Sequence, residues 1–174
     1  MSEKEISNKR REPKASRPHM PGYGILDAES GKGLLPWSWA VARLSKAHNY
    51  FIATTRHDGR PHVMPVWGVW LNEAFYFSTA KQSRKARNLA DNPHCAICPE
   101  KAEESVILEG IAEEVSDRAL YKEFAVAYEA KYQWNMEGFA EPLYVVHPKV
   151  VFALIETSEQ FSSTATHWTF DEES

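Results

Sequence analysis

The chain has 174 residues, of which 43% are hydrophobic and 25% charged, and its formal net charge is −4 at pH 7. This length and composition are typical of one globular domain and exclude the collagen-like and wholly disordered classes. Two cysteines are too few for the disulfide network of a small secreted scaffold, so a hydrophobic core must carry the fold. The negative net charge provides no overall positive field for nucleic acid or an anionic membrane, so any anion site has to be local.

The two ends of the chain are polar and flank a single predicted domain. Residues 1–33 combine charges, prolines and glycines with few large apolar side chains, which predicts a flexible N-terminal arm or an arm that lies over a ligand or a partner subunit. We expect the domain over 34–170 and an acidic tail over 171–174. No stretch reaches the roughly 18 apolar residues of a membrane span, and the N-terminus lacks the apolar run of a signal peptide. The expected location is cytoplasmic.

The first half of the domain changes from helical to strand periodicity. Apolar residues at helical spacing predict a helix over about 36–47. Asp58-Gly59 between two β-rich runs predicts a hairpin, and a second turn extends it to a three-strand meander over about 50–79. Pro61 and Pro65 in the middle run cannot donate to a ladder, which indicates an edge position or a bulge.

The second half predicts two more helices among further strands. A short helix runs from Ser83 to Ala90 and ends before Asn92-Pro93. A longer helix over 117–134 is capped by Asp117. The other predicted strands are 94–98, 105–115, 143–147, 149–156 and 164–170. Roughly six strands in hairpin succession with two or three peripheral helices predict a mainly β (α+β) fold, an antiparallel barrel.

The start of the short helix at Ser83 carries the strongest chemical signal. Four cations lie in a window without acidic residues: Lys81, Arg84, Lys85 and Arg87. Cations in a first helical turn oppose the macrodipole, whereas an anion bound there would reverse the sign of this effect. With the hydroxyls of Ser78 and Thr79, the segment offers the donors that a phosphate dianion needs. The other interpretation is a solvated basic helix face.

This segment is one of a series of motifs along the domain. The series comprises Gly59–His62, Pro65–Trp67, Phe75–Thr79, Ser83–Leu89, Asn92-Pro93, Glu109–Ala112, Lys131-Tyr132 and Ala165–Phe170. In order and spacing it resembles the pyridoxamine 5'-phosphate oxidase-like superfamily, the flavin-binding split β-barrel proteins, including the branch that uses the deazaflavin F420. The resemblance implies a split β-barrel that forms a homodimer with two cofactor sites at the subunit interface.

The resemblance also implies which side chains form the site. Those expected to hold the cofactor phosphate are Ser78, Thr79, Ser83, Arg84 and Lys85. Those expected along the cofactor ring are Met64, Pro65, Val66 and Trp67. His62 is expected to contact the cofactor or substrate, and Trp168 to complete the site of the other subunit. His167 stands where many F420-dependent relatives carry arginine, which leaves the choice between FMN and F420 open.

The implied function is hydride transfer between bound FMN or F420 and a small organic substrate. Such a cofactor carries the chemistry itself, so the chain requires no catalytic side chain. A protein of another class, a non-catalytic flavin- or haem-binding split barrel, is the alternative, because one fold supports several functions. Nucleic acid and membranes are not expected partners.

The two cysteines resemble a metal or redox pair only in their spacing. On a predicted strand that rises ~3.3 Å per residue, Cys95 and Cys98 lie about 10 Å apart and on opposite faces. This distance is too long for a disulfide or a shared zinc ion. We therefore expect two buried, reduced thiols and no metal site.

Overall fold

The computed structural model describes residues 12–27, 29 and 33–170. Within them the chain forms nine strands and four helices. The strands are β1 (Lys14–Ser16), β2 (Tyr50–Thr55), β3 (Pro61–Val66), β4 (Gly68–Leu71), β5 (Ala74–Ser78), β6 (His94–Pro99), β7 (Glu104–Glu114), β8 (Leu143–Ile155) and β9 (Thr166–Thr169). The helices are α1 (Trp37–Lys46), α2 (Arg84–Asp91), α3 (Arg118–Tyr132) and α4 (Ser158–Thr164). The antiparallel α+β class predicted from the sequence is confirmed.

The strands form one antiparallel sheet with a branch. Hydrogen-bonded neighbours follow the order β1-β9-β8-β7-β6-β2-β3, and the β4–β5 hairpin joins this path because β5 also pairs with β8. Strand β8 is the longest at 13 residues and pairs with β5 near its start and with β9 nearer its end. The chain therefore passes at Trp67 from the end of the path, β3, to the branch, β4.

This branching corrects the predicted three-strand meander over about 50–79. The hairpin at Asp58-Gly59 is confirmed, with Gly59 at a φ of 83° that suits glycine. Strand β3, however, pairs with β2, and β4 pairs with β5 instead of with β3. Pro61 and Pro65 both lie in β3, the last strand of the path, so the expected edge position is confirmed.

The second half of the chain and the total number of strands also differ from the prediction. The strands predicted at 143–147 and 149–156 form the single strand β8, which crosses Pro148 with a register shift opposite Glu109 and Gly110. Helix α4 was not predicted, because its seven residues, SEQFSST, carry little apolar periodicity. The described residues form nine strands in place of the roughly six predicted: of the eight segments identified, the middle run of the meander divides into β3 and β4, two merge into β8, and β1 is added.

Part of the predicted arm over 1–33 packs on the sheet. Strand β1 pairs with β9, and Arg17 donates to the carbonyl oxygens of Ala165 at 2.8 Å and Ser163 at 2.9 Å. A guanidinium with several donors can satisfy carbonyls at the end of a helix such as α4. Residues 1–11 of the arm and the predicted tail over 171–174 lie outside the described residues.

Two buried clusters hold the domain together. Because side chains alternate between the faces of a strand, β5 directs Phe75 and Phe77 into one cluster and Tyr76 into the other. The first cluster lies among the sheet and α1, and the second receives Phe124 of α3. Helix α3 is thereby fixed on the face of the β4–β5 hairpin. Among the described helices, none has the length and apolar character needed to cross a bilayer.

Candidate functional site

A cleft of about 350 Å³ lies between the end of β3, the end of β5, α2 and α3. Its described lining residues are Asn49, Pro65, Val66, Trp67, Ser78, Lys85 and Tyr128. Five of them, from Pro65 to Lys85, are site residues that the sequence predicted. A depression of about 370 Å³ along residues 17–27 contains none of the predicted site residues. The first cleft is therefore the candidate site.

Hydroxyl groups at the start of α2 are oriented by the chain itself. Ser83 caps the helix by accepting a hydrogen bond from the Ala86 N–H at 3.1 Å, as the sequence predicts. Thr79 donates its hydroxyl to Ser83 Oγ at 3.2 Å, and Ser78 donates its hydroxyl to the Pro142 carbonyl at 2.7 Å. Ser83 Oγ thus accepts two bonds, so its own proton is the one that it can donate to a ligand.

Four positively charged or chargeable groups converge beside these hydroxyls. The pKa of His62 is lowered, first by burial and then by the positive charges of Arg56, Lys85 and Arg84. These groups come from the turn after β2, from β3 and from α2. Burial also lowers the pKa of Lys85, whereas Arg84 is exposed. A cluster of one sign, partly removed from water, attracts an anion.

Arg56 adds an unsatisfied donor to this cluster. Its Nε atom is buried and has no hydrogen-bond partner among the described residues. Buried polar groups in native proteins are almost always hydrogen-bonded, so such an atom indicates a missing acceptor. The chemistry of the cluster, with guanidinium, ammonium and hydroxyl donors, suits a phosphate group.

A buried polar chain fixes the three elements of this cluster relative to one another. The Asn88 side-chain amide of α2 donates to Thr54 Oγ1 of β2 at 2.9 Å, and Thr54 Oγ1 lies 3.5 Å from His62 Nδ1 of β3. Asn88 and Thr54 are 2% and 3% exposed. Because these partners are shielded from water, α2 cannot shift along the sheet without leaving a buried polar group unpaired.

The other end of the cleft is apolar and aromatic. Trp67 stacks on Tyr132 with ring centroids 4.6 Å apart and an interplanar angle of 7°, and its Nε1 donates to Asn49 Oδ1 at 3.1 Å. The ring remains 38% exposed, and it lines the cleft beside Pro65 and Val66. This flat wall suits the face of a planar ligand.

Six predicted residues lie outside the cleft lining. Four of them, His62, Thr79, Ser83 and Arg84, belong to the group of hydroxyls and cations beside it, whereas Met64 and Trp168 belong to neither. Met64 is 43% exposed on β3, at the end of the sheet path. Trp168 is 1% exposed and packs on Trp37 in the first core cluster, with ring centroids 5.3 Å apart. Since the Trp168 ring lies in the core, we leave it out of the site.

Three site residues were missed by the sequence analysis. Arg56 lies in the predicted hairpin, where a tight turn brings it across from the segment that contains His62, so this signal was present. Asn49 and Tyr128 carry no comparable signal, because the place of Asn49 depends on the contact between the start of β2 and Trp67, and that of Tyr128 on how α3 packs. The cysteines lie on β6 as expected, both as free thiols; Cys95 is buried and Cys98 is partly exposed.

Comparison with solved structures supports the split-barrel fold. A structure described as an F420 reductase has 24% identity, covers 63% of this chain and 93% of its own, and has a TM-score of 0.52. HutZ, the haem storage protein from Vibrio cholerae, has 19% identity, covers 67% and 90%, and has a TM-score of 0.56. General stress protein 26 from Bacillus anthracis has 19% identity, covers 67% and 91%, and has a TM-score of 0.57.

Comparison of the sequence with known proteins and families identifies the family of this chain. A search of curated proteins found no match. Among protein families, the one described as pyridoxamine 5'-phosphate oxidase matches residues 40–159, a range that contains every lining residue of the cleft. Since this match extends over more than half of the chain, the chain belongs to the pyridoxamine 5'-phosphate oxidase family.

Proposed function

We propose that the chain is an oxidoreductase that binds FMN or F420 in the cleft and acts on a small organic substrate. The observation that carries this proposal is the composition of the cleft, which has a phosphate-type donor cluster at one end and a flat aromatic wall at the other. The likeness to an F420 reductase and membership of the family support it.

The residues present fit both parts of such a cofactor. The phosphate would be held by Lys85 and Arg84, by the Ser83 hydroxyl, and by Arg56, whose buried Nε lacks an acceptor in the described chain. The ring would lie along Pro65, Val66 and Trp67. Thr79 acts through Ser83, and Ser78 lines the cleft between the two ends.

The chain's own contribution is binding, orientation and exclusion of water. When bound, the cofactor supplies the exchange of a hydride with the substrate. Arg56, Arg84 and Lys85 would hold the phosphate end of the cofactor, and Trp67 would form a wall beside its ring. The pKa of His62 is lowered by burial and by the nearby cations, which favours the neutral imidazole, a group that can donate one hydrogen bond to a phosphate oxygen.

We propose that the protein acts as a homodimer whose interface includes the edge at β3. Phe51 of β2 and Val63 of β3 lie on one face of this edge and are 44% and 56% exposed, and Met64 lies on the opposite face and is 43% exposed. Exposed apolar side chains at the edge of a sheet are commonly covered by a partner. A second copy of the chain on this surface would also close the cleft from the side of β3. Light scattering at micromolar concentration tests this proposal, and a monomer would contradict it.

A non-catalytic haem-binding protein is the second candidate, favoured by the likeness to the haem storage protein HutZ. The described lining residues of the cleft include Tyr128 but no histidine, cysteine or methionine, the side chains that most often ligate haem iron. The donor cluster at the start of α2 can pair with a phosphate or with the propionate carboxylates of haem, so the lining of the cleft is what separates the two candidates. We therefore place this candidate after the oxidoreductase.

Mass spectrometry and absorption spectroscopy of the purified protein test the two candidates. A bound FMN or F420 whose visible absorption bleaches with a reductant and recovers with substrate supports the oxidoreductase. A Soret band with no flavin or deazaflavin supports the haem-binding protein. If neither cofactor copurifies, titration of the apoprotein with FMN, F420 and haem decides between them by affinity, and failure to bind FMN or F420 at micromolar concentration contradicts our proposal.

A further inference from the structure

The last turn of α3 contacts the backbone beside the aromatic wall of the cleft. Lys131 donates from Nζ to the Gly68 carbonyl at 2.9 Å and to the Tyr50 hydroxyl at 2.7 Å. The Gly68 N–H donates to the Tyr132 hydroxyl at 2.9 Å. Both backbone polar groups of Gly68, the residue that follows Trp67, are thus bound by side chains of α3.

The backbone of Gly68 packs so closely on β5 that there is no room for a side chain at this position. A Cβ at this residue would lie 2.4 Å from Phe75 Cζ and 2.6 Å from the Tyr76 carbonyl oxygen. The close approach of the backbone to β5 therefore requires glycine. Because the chain changes here from the β3 edge to the β4 branch, the two side chains of α3 replace the ladder contacts that a neighbouring strand would supply.

The same two side chains support the ring of Trp67. Tyr132 forms the parallel stack beneath it, and Tyr132 is itself only 9% exposed. The Lys131 ammonium lies 4.7 Å from the centre of the Tyr50 ring and 5.3 Å from that of Tyr132. Burial lowers the pKa of Lys131 to about 8, which shows that removing this ammonium from water is costly. The hydrogen bonds to Gly68 and Tyr50 offset part of this cost.

We propose that Lys131 and Tyr132 are positioning residues: they hold Gly68 and the ring of Trp67 so that Trp67 forms a fixed wall for the ring of the cofactor. This inference rests on the proposed function. It assigns the two residues to ring binding and not to phosphate binding, because neither lies in the cation cluster at the start of α2. It also makes the C-terminal turn of α3 part of the site.

The test separates ring affinity from phosphate affinity. Dissociation constants are measured for FMN and for riboflavin, which lacks the phosphate, and likewise for F420 and its phosphate-free deazaflavin chromophore. The variants are Tyr132→Phe, which keeps the stack but removes the hydroxyl, and Lys131→Met, which keeps an apolar stem. Matched controls on the same helix are Tyr121→Phe, whose hydroxyl donates to the Phe139 carbonyl, and the exposed Lys122→Met.

We expect Tyr132→Phe to weaken the binding of both members of the ligand pair that the wild type binds by about threefold or more, because the hydroxyl loses the bond it accepts from the Gly68 N–H and the bond it donates to the His48 carbonyl. The factor should be the same with and without the phosphate, and Lys131→Met should lose at least as much. The two controls should match the wild type. Unchanged affinities in both variants, or losses confined to the phosphate-bearing ligand, would overturn the proposal. So would a lower thermal midpoint with unchanged riboflavin or deazaflavin affinity, since that is the result of a purely structural role.

A second readout works without any cofactor. The near-ultraviolet circular dichroism signal of Trp67 is obtained as the difference between each protein and its counterpart with Trp67→Phe. Both variants should alter this signal, whereas the controls should not, and an unaltered signal would contradict the proposed positioning. If the wild type binds none of the four ligands, the proposed function fails, while this measurement still decides on the positioning of Trp67.

Discussion

Asn88 of α2 and Thr54 of β2 are joined by a 2.9 Å hydrogen bond between two almost fully buried side chains. The bond connects the helix that carries Arg84 and Lys85 to the strand that leads to Arg56. Since neither partner can turn to water, the bond fixes the distance between cations that are 28 residues or more apart in the chain. The cation cluster is therefore built around a buried polar contact.

Asn88→Ala should destabilise the protein by about 1–3 kcal/mol, because Thr54 is left without its donor in a buried position. Denaturation in urea measures this loss. In Thr54→Val the same bond is absent, so the double variant should lose less than the sum of the two single losses. A change of less than about 0.5 kcal/mol, as at an ordinary surface position, would show that the bond does not hold α2.

Arg56→Met should weaken FMN or F420 binding about tenfold or more, the effect of a charge-assisted hydrogen bond. Riboflavin or the phosphate-free deazaflavin should bind with unchanged affinity. Arg60→Met in the same hairpin is the control, since Arg60 is exposed and paired with Asp58 at 2.7 Å. Equal effects of the two substitutions on FMN would show that Arg56 acts only through the general field of the surface.

Gly68→Ala should destabilise the protein by about 1–3 kcal/mol or more, because the added methyl group overpacks against Phe75 and the Tyr76 carbonyl. It should also weaken ring binding, since the adjacent Trp67 moves with the backbone. Gly59→Ala meets no atom within 4 Å and carries only the strain of its φ of 83°. Urea midpoints and riboflavin titration compare the two, and equal ring affinities would contradict the expected displacement of Trp67.

Lys131 should make stability rise with pH between about 8 and 10. Burial lowers its folded pKa to about 8 from the ordinary 10.5 of lysine, so over this interval the unfolded state binds more protons. Stability then rises with pH, because the cost of the buried charge disappears as the folded ammonium loses its proton. Burial raises the pKa of Tyr132 to about 12 and also raises that of Tyr50, so both tyrosines lower stability above about pH 10.

The comparison with Lys131→Met isolates this contribution. Urea midpoints are measured from pH 7 to 10. As the pH rises, the stability of the wild type should increase relative to that of the variant. The tyrosines and thiols are common to both proteins, so their titration cancels in this comparison. A constant difference between the two proteins over this range would mean that Lys131 keeps its proton.

Most local features followed from the sequence. The hairpin at Asp58-Gly59, the caps at Ser83 and Asp117, and the edge position of β3 were all predicted, because each depends on residues within a few positions of one another. The hydroxyls and cations around Ser83 were singled out as candidate phosphate donors for the same reason. Turns, helix caps and the first turn of a helix are determined by residues that follow one another in the sequence.

The contacts that complete the cleft depend on pairings between distant segments. The pairing of β5 with β8 in place of a meander directs Trp67 to the junction between β3 and β4. The packing of α3 then brings Tyr128, Lys131 and Tyr132 to that junction, although they follow Trp67 by more than 60 residues in the sequence. The stripe of α3 predicted an apolar helix face, but hydrophobic periodicity does not say which strand that face covers.

The sequence by itself determined the class of fold, the family and the concentration of cations and hydroxyls at the start of α2, since these depend on composition, order of motifs and local charge. Only the tertiary structure decided that Arg56 joins that cluster, that Trp168 belongs to the core and that α3 supports Trp67. These outcomes depend on the face of the branched sheet on which each side chain lies. Long-range strand pairing and close packing determine that face.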